Sequence, residues 1–582
     1  MAGSIFNVEK YIDRMKVMET EKRPFVDMYK RLAEWFLTRK QDFDDTLTPA
    51  AFFYSDIYDN TGEHAAMIAS SAYLAMIWPE AARSIVLEPV EEIRGAAGVD
   101  EYFKKITHRV RLAMDNPKAG LLTALQEHTL DGRVFGISGI AAFENDDEDD
   151  NSVPVIYDQW DIKTMLIDEN AKGFVDTIYI PRKFTIRQVV EEYGVHDYVH
   201  PVVRKKYDEG KRDEKITVLK VIETRPKFDR TEKGKFSKPI RALHIDVDNK
   251  CIMREGGYDE MPVFVVRSIK AANEKYGRSD AMVAYPDVIS LNVSKESRIR
   301  AAEKQLDPPL LVLDDGRVGG AVIDTSAGGT TVINTSGRAN GEKAVSPLFT
   351  VGEMQSTEKL EQEWKESIMQ AFHVDRLLDL NNGTQMTAYE TSIRNRMRGE
   401  GLASMFQRDM VEGYIPLTER TVSIMFRKGL LGRINGGITS KVMNLWDKVM
   451  GRSPLEVPAA VVEAAAAGLD VYRVRFISPA TRFMQAEKLQ GVFSVADFAE
   501  KAVAAFPGIS DNVDPDKVMR SVVENSGAPS EILRSEDEVA KIREVRAQKE
   551  EAAQKLQATQ MAAQAARDIG QAKASFSGPQ GL

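Results

Sequence analysis

Few groups of residues in this chain have the types and spacing for chemistry, and each lacks something its reaction needs. Gly337-Arg338-Ala339-Asn340-Gly341-Glu342-Lys343 approaches a phosphate-cradling loop but breaks the Gly-Lys-Ser/Thr ending that would supply the ammonium and the magnesium-binding hydroxyl. His196 and His200 stand at i,i+4 spacing without an evident third ligand and directly before Pro201, which reads as surface histidines rather than a zinc site. Gly136-Ile137-Ser138-Gly139 is not the Gly-x-Ser-x-Gly elbow of hydrolases, and Ser356-Thr357-Glu358-Lys359 matches Ser-x-x-Lys only because it opens a charged helix. The acidic pairs Asp246 with Asp248 and Asp314 with Asp315 fall at strand ends or turns, where carboxylates favour water and turn geometry. The run from Asn145 to Asn151 lacks the spacing and central glycine of a calcium loop, so a solvated loop is expected. Arg394, Arg396 and Arg398 could touch phosphate, but only Arg394 and Arg398 share a helix face, and Glu390 stands four residues before Arg394, so a structural ion pair is an equal reading. No catalytic residue, metal or cofactor is expected.

The elements that would position such groups belong to a large chain. At 582 residues it exceeds the size at which a single core stops growing, so several domains are expected. A hydrophobic fraction of 43% and a charged fraction of 29% describe a folded, soluble protein. Lys plus Arg total 78 against 88 Asp plus Glu, a net charge of -10, the wrong sign for gripping nucleic acid over a broad face. The single cysteine, Cys251, excludes an intramolecular disulfide and fits a reducing compartment. Met1 to Pro24 is charged throughout and lacks the apolar core of a signal peptide. The apolar run from Ala65 to Trp78 stops at Pro79, short of the roughly 18 residues of a membrane span, so it reads as a buried helix and no span is expected.

Residues 7–40 carry apolar side chains at helical spacing and predict a helix pair broken near Pro24. From Ile137 to about Ile269, short β-branched and aromatic runs predict a sheet interrupted by a helix near Ile186 to Tyr193. Pro286 suits the first turn of a helix running to Leu306, almost entirely polar inside and stopped by Asp307-Pro308-Pro309. Leu310 to Phe349 reads as a small β module, with strands at Leu310–Leu313, Ala321–Ile323 and Thr331–Ile333. A second helix, from about Glu353 to Phe372, carries Leu360, Trp364, Ile368 and Phe372 four apart, a stripe too thin for a monomer's core. Beyond Pro479 the chain turns helical, and Glu536 to Ala574 predicts a long helix without a core of its own.

Tyr276-Gly277-Arg278-Ser279, Tyr285-Pro286-Asp287 and Leu291-Asn292, closing on Asp307-Pro308-Pro309, resemble a passage of the portal (head-to-tail connecting) proteins of short-tailed bacteriophages. Thr387-Ala388-Tyr389-Glu390 with Arg394 resembles a second hallmark, and the segments Tyr54 to Gly62 and Ile477-Ser478-Pro479 through Ala486-Glu487 sit where that family carries similar ones. The order of these segments is more specific than any one of them. Tyr389, where the family more often has a β-branched residue, and Ala480, where it has Leu, depart from the pattern.

The resemblance implies an α+β portal fold assembled as a dodecameric ring at one capsid vertex. It implies a wing at 1–280, stem helices at 281–308 and 352–375, a clip at 309–351, a tunnel loop at 376–386, an inner wing helix and remaining wing at 387–480, and a crown with the C-terminal helix at 481–582. Asn381, Asn382, Gly383, Thr384 and Gln385 would face DNA, and Arg298, Arg300, Lys304, Trp364 and Ile368 would lie in the stem. Implied partners are double-stranded DNA, the terminase large subunit, a tail adaptor protein, and the major capsid and scaffolding proteins, in a virion assembled in the host cytoplasm. A conduit that lets DNA slide cannot hold it through many Lys and Arg contacts, which suits the negative net charge. Two other classes fit the residues alone: an α/β enzyme with a helical oligomerisation tail, and a scaffold or tail-tube protein without a DNA channel.

Overall fold

The structure is a computed structural model that describes residues 8–40, 57–79, 85–145, 153–194, 197–228, 235–306, 310–312, 345–347, 355–378, 405–432 and 455–476, together with scattered positions beyond 515. The acidic run after Asn145, His196, the strands expected at 321–323 and 331–333, Asn381–Gln385, Glu390, Arg394, Arg398 and the segment 477–487 lie outside the described residues. The chain divides into two compact units, Met1–Phe483 and Met484–Leu582. In the second, the described positions are helical, 542–549 among them, and Arg543 pairs with Asp516 at 2.6 Å.

The first unit opens with a long helix, α1 (Val8–Phe36), which runs unbroken through Pro24, against the expected helix pair. Its apolar residues explain why. Met15 and Met18 bury against a sheet at one end, while Tyr29, Leu32, Ala33 and Phe36 bury in the main core at the other. A proline inside a helix costs about 3 kcal/mol, whereas each fully buried Met, Leu or Phe contributes about 1.5–3 kcal/mol, so packing at both ends outweighs the break. Between the two ends the buried Lys22 donates its ammonium protons to the carbonyls of Ile162, Lys163 and Met165, pinning the helix to the turn before a strand.

The main core gathers α2 (Thr61–Ile77), α3 (Val99–Met114) and α4 (Leu121–Phe135) around a three-stranded antiparallel sheet. In that sheet β2 (Ile137–Glu144) lies between β3 (Val155–Trp160) and β9 (Val263–Arg267). β1 (Ile85–Pro89) pairs with the late strand β12 (Tyr472–Phe476), which ties the two ends of the unit together. The apolar run read as a buried helix is α2, which ends before Pro79.

A five-stranded antiparallel meander follows: β4 (Leu166–Glu169), β5 (Val175–Thr185), β6 (Lys215–Thr224), β7 (Ile240–Asp246) and β8 (Cys251–Tyr258). Strand alternation gives it two buried faces. Leu219, Val221, Leu243 and Ile245 meet α1, while Ile216 and Val218 meet α5 (Ile186–Tyr193) and α6 (Pro201–Asp208). The helix expected near Ile186 is thus α5, started by a capping box in which Thr185 and Gln188 exchange side-chain to backbone hydrogen bonds at 3.3 and 3.0 Å. Among the described residues no helix is long and apolar enough to cross a membrane.

Pro24 is exposed and its ring removes one helical hydrogen bond without contributing to either core. Pro24→Ala should therefore stabilise the protein by about 1–2 kcal/mol, after allowing for the extra freedom of the unfolded chain. Thermal denaturation should show a rise of a few degrees, and a lower melting temperature would mean that the proline sets a bend the packing requires.

Candidate functional site

The polar helices pair with each other, and so do two short strands that lie between them in sequence. α7 (Asp280–Leu306) and α8 (Gln355–Ala371) run antiparallel: Ser367 donates to Asp287 at 2.6 Å, Ser294 donates to Glu361 at 3.1 Å, and Arg298 pairs with Glu358 at 3.2 Å and Glu361 at 3.3 Å. β10 (Leu310–Val312) and β11 (Val345–Pro347) pair antiparallel between them, the second a strand that its three residues were too short to announce. α7 begins at Asp280, not at Pro286, because Ser279 caps it by accepting the Met282 amide at 3.1 Å. Pro286 consequently sits inside the helix. The end at Leu306 is where the Asp-Pro-Pro stop puts it.

The stripe on α8 splits in two. Ile368 and Phe372 are buried in the chain's own core, with the Phe372 ring 5.6 Å from that of Phe36, and Trp364 is half-buried against the same core. Only Leu360, at 47% exposure, keeps the partnerless state expected of the whole stripe. On α7, Val283 is 65%, Val293 56% and Ile299 43% exposed. Arg298 is spent on Glu358 and Glu361 across the hairpin, Arg300 pairs with Glu296 one turn back, and Lys304 lies exposed near the end of α7.

The base of the hairpin is held by buried charge. Arg133, near the end of α4 and 2% exposed, reaches Asp280 at 3.2 Å, Asp409 at 3.4 Å and the Ser268 hydroxyl at 3.2 Å, and stacks 4.4 Å over the Tyr73 ring. Tyr73 in turn donates to Asp409. Burial works against the guanidinium's charge, but Asp280, Tyr73 and Asp409 outweigh it and keep it protonated. Burial pushes Asp409 up to about 6 although Arg133 opposes the shift, since one of its oxygens has no hydrogen-bond partner. Past the short helix α9 (Val374–Leu378), Asp409 precedes a π-turn (Met410–Tyr414) that leads into α10 (Ile415–Arg427). From that turn Glu412 clasps the buried Arg267 at 2.7 Å, and Gly413 lets it lie against Val266, whose methyl would be 2.6 Å from any added Cβ. Arg267 also pairs with Glu169.

The residues that carry the sequence resemblance converge on this base. Gly277 and Gly136 touch backbone to backbone: a Cβ on Gly136, whose φ is +79, would fall 2.3 Å from the Arg278 carbonyl carbon, and one on Gly277 2.2 Å from the Gly136 oxygen. Asn292, 3% exposed, accepts the amides of Tyr58 at 2.9 Å and Asp59 at 3.0 Å. Asp59 lies 3.6 Å from both Lys295 and Lys365, so it bridges the two helices. Burial raises its pKa, but the Thr61 hydrogen bonds and the two lysines outweigh that and hold it below the usual carboxylate range. Gly62 leaves room for Val288 and Phe36, 3.1 and 3.2 Å from where its Cβ would be. Sequence reasoning missed Arg133, Asp409, Arg267 and Glu412; the signal for Arg133 was a lone cation inside the run Leu130 to Phe135.

Among the described residues, the groups tested for chemistry that can be placed serve the fold. His200 accepts the Val202 amide at the start of α6. Asp246 is buried and accepts from Asn249, and Asp248 accepts the Thr217 amide at 2.9 Å, so both carboxylates serve turns, although Asp246 does so out of water, against expectation. Burial, with Asp246 adding, pushes the Cys251 thiol up to about 11, far from a reactive thiolate. No group of three or more metal-binding side chains occurs among the described residues.

Removing one partner of a buried pair strands the other, so Arg133→Met should destabilise the protein by about 3–5 kcal/mol, seen as a lower denaturation midpoint. Asp409→Asn keeps an acceptor for Tyr73 and removes the costly charge. It should be near neutral or stabilising above pH 6, where the wild-type carboxylate must ionise, and its advantage should vanish as the pH falls below about 4. Equal losses from both substitutions would contradict this division of roles.

The described parts of the segments that resemble portal proteins, at 57–62 and 276–292, thus lie at the base of a polar helical hairpin. A family model described as bacteriophage head to tail connecting protein matches residues 8–533. The portal protein of Salmonella phage epsilon15 is 23% identical over 97% of this chain and 96% of its own length. A probable portal protein of Bordetella phage BPP-1 is likewise 23% identical, over 96% of this chain and 94% of its own. Solved chains from the virion of a native gene transfer agent particle and from the neck of an empty one match at 13% identity over 71% of this chain and 91% of theirs, with TM-scores of 0.28 and 0.30, too low to define a shared fold. With the family model spanning nearly its whole length, this chain belongs to the bacteriophage head-to-tail connecting protein family, a family of structural virion components rather than enzymes.

Proposed function

We propose that this protein is a portal: a dodecameric ring at the capsid vertex, through which double-stranded DNA is packaged and ejected. The observation that carries this reading is the α7–α8 hairpin, anchored at its base by Arg133 and Asn292 while Val293, Ile299 and Leu360 stand exposed along it among the described residues. A helix polar on most sides is stable only when neighbours complete its surroundings. Arg300 and Lys304 stand exposed on α7, and Glu363 and Glu366 on α8, which suits a head-to-tail contact in which one copy's α7 meets the next copy's α8 and the ring closes.

In this reading α7 and α8 are the stem, β10 and β11 begin the clip, and Asn381 to Gln385 form the loop that approaches DNA. Glu390, Arg394 and Arg398 belong to an inner wing helix, and residues 481–582 form the crown. The terminase large subunit docks at the clip during packaging and a tail adaptor protein replaces it, with the major capsid and scaffolding proteins around the ring as it assembles in the host cytoplasm. The relatives named portal proteins support this reading through matched length, not through any one residue.

A charge buried in a subunit contact without a partner is expensive. Val293→Glu combined with Leu360→Glu should therefore convert large rings into monomers in native mass spectrometry while leaving the melting of the subunit core within a few degrees. Rings that persist in the double variant would place the subunit contact elsewhere.

A further inference from the structure

Four buried polar atoms that have no hydrogen-bond partner among the described residues belong to one junction: His128 Nδ1 and Arg133 Nε on α4, and Asp409 Oδ1 and Tyr414 Oη at the two ends of the π-turn. Their residues are only 2–4% exposed. The other polar atoms of these side chains are taken. Asp409 Oδ2 accepts from Tyr73 and lies 3.4 Å from Arg133 Nη2. Arg133 Nη1 and Nη2 reach Asp280 and the Ser268 hydroxyl at 3.2 Å each, and His128 Nε2 lies 3.4 Å from the Ser138 hydroxyl. The winding of the π-turn explains why the remaining atoms converge. The Ile415 amide donates to the Met410 carbonyl five residues back, and this wider winding carries Tyr414 round towards the side of Asp409. The Tyr414 ring then meets that of His128 edge-on at 6.2 Å, and its hydroxyl lies in the field of both Asp409 and Arg133.

We infer that these four atoms form a binding site for ordered water inside the joint between α4 and the π-turn. The ligand follows from what each atom lacks. Arg133 Nε presents an N–H, Tyr414 Oη an O–H, and Asp409 Oδ1 only lone pairs, so the ligand has to accept and donate in one place. Water does both, and a buried water typically makes about three hydrogen bonds to groups that the protein itself leaves unpaired. An anion would face Asp280 and Asp409, and a metal ion would face the Arg133 guanidinium, so neither suits a site that already holds both signs of charge. His128 is kept neutral, pushed down to about 3 by burial and by Arg133, and its Nδ1 completes the site as donor or as acceptor according to the tautomer. Left dry, each group would give up its hydration with nothing in return, whereas shared water links the π-turn to the helix whose Arg133 holds the start of α7. The site lies within one subunit, so it stands whether or not the ring forms.

The test is a density map of the full-length protein at a resolution that shows ordered water, together with two substitutions. The map should show a peak within about 2.5–3.0 Å of both Tyr414 Oη and Asp409 Oδ1. Tyr414→Phe removes the hydroxyl and keeps the ring, so it should lower the apparent melting temperature by about 1–3 °C. Tyr157→Phe sets the scale, because the buried Tyr157 hydroxyl has a direct partner in Thr421 at 2.8 Å, and the two variants should shift in the same direction. A higher melting temperature for Tyr414→Phe, the result expected when a hydroxyl without any partner leaves a core, would overturn the inference. So would a map with no peak at this place, or one in which Tyr414 Oη bonds directly to Asp409 or His128.

Discussion

A guanidinium shared between two carboxylates holds this structure in register. Arg133 joins α4 to the start of α7 through Asp280 and to the π-turn before α10 through Asp409, with Tyr73 of α2 completing its surroundings. Replacing such a cluster with apolar residues of the same volume would cost little, but breaking it strands buried charge, so it ties elements together in one arrangement rather than adding much net stability. Its position follows from the need to fix a helix at one end only. α7 is anchored through Asn292 and through Lys295 with Asp59, and beyond Lys295 it relies on ion pairs with α8.

That asymmetry connects packing to function. An isolated hairpin of mostly polar helices is marginal in water, because surface ion pairs such as Arg300 with Glu296 contribute only a few tenths of a kcal/mol each. The chain nevertheless builds one on a rigid α+β body and leaves apolar side chains along it uncovered. In the proposed ring that combination has a use, since the body fixes the direction of the hairpin and neighbouring copies would supply what it lacks. In that ring the net charge of -10 would keep the assembly from clinging to DNA that has to move.

Much of this was legible in the sequence, for local reasons. Short β-branched and aromatic runs marked β3, β5, β6 and β9 and the interruption between them marked α5, and the polar helix, β module, polar helix order appears as α7, β10, β11 and α8. What escaped depends on distant partners. Arg133 meets residues 147 and 276 positions away, and no local pattern in α4 announces them. Pro24 read as a break because propensity is local, while the packing that overrides it comes from two separate cores. Likewise Ile368 and Phe372 looked partnerless because much of the core they enter, with Phe36 of α1 against Phe372, lies about 300 residues earlier.

The most direct test of the account is a cryo-electron microscopy reconstruction of the purified protein at a resolution that traces helices. The account predicts a closed ring with an axial channel wide enough for duplex DNA, in which α7 and α8 of successive copies alternate around the narrowest part. A small open oligomer, or a ring in which the α7–α8 hairpin projects outward and another element lines the channel, would contradict it.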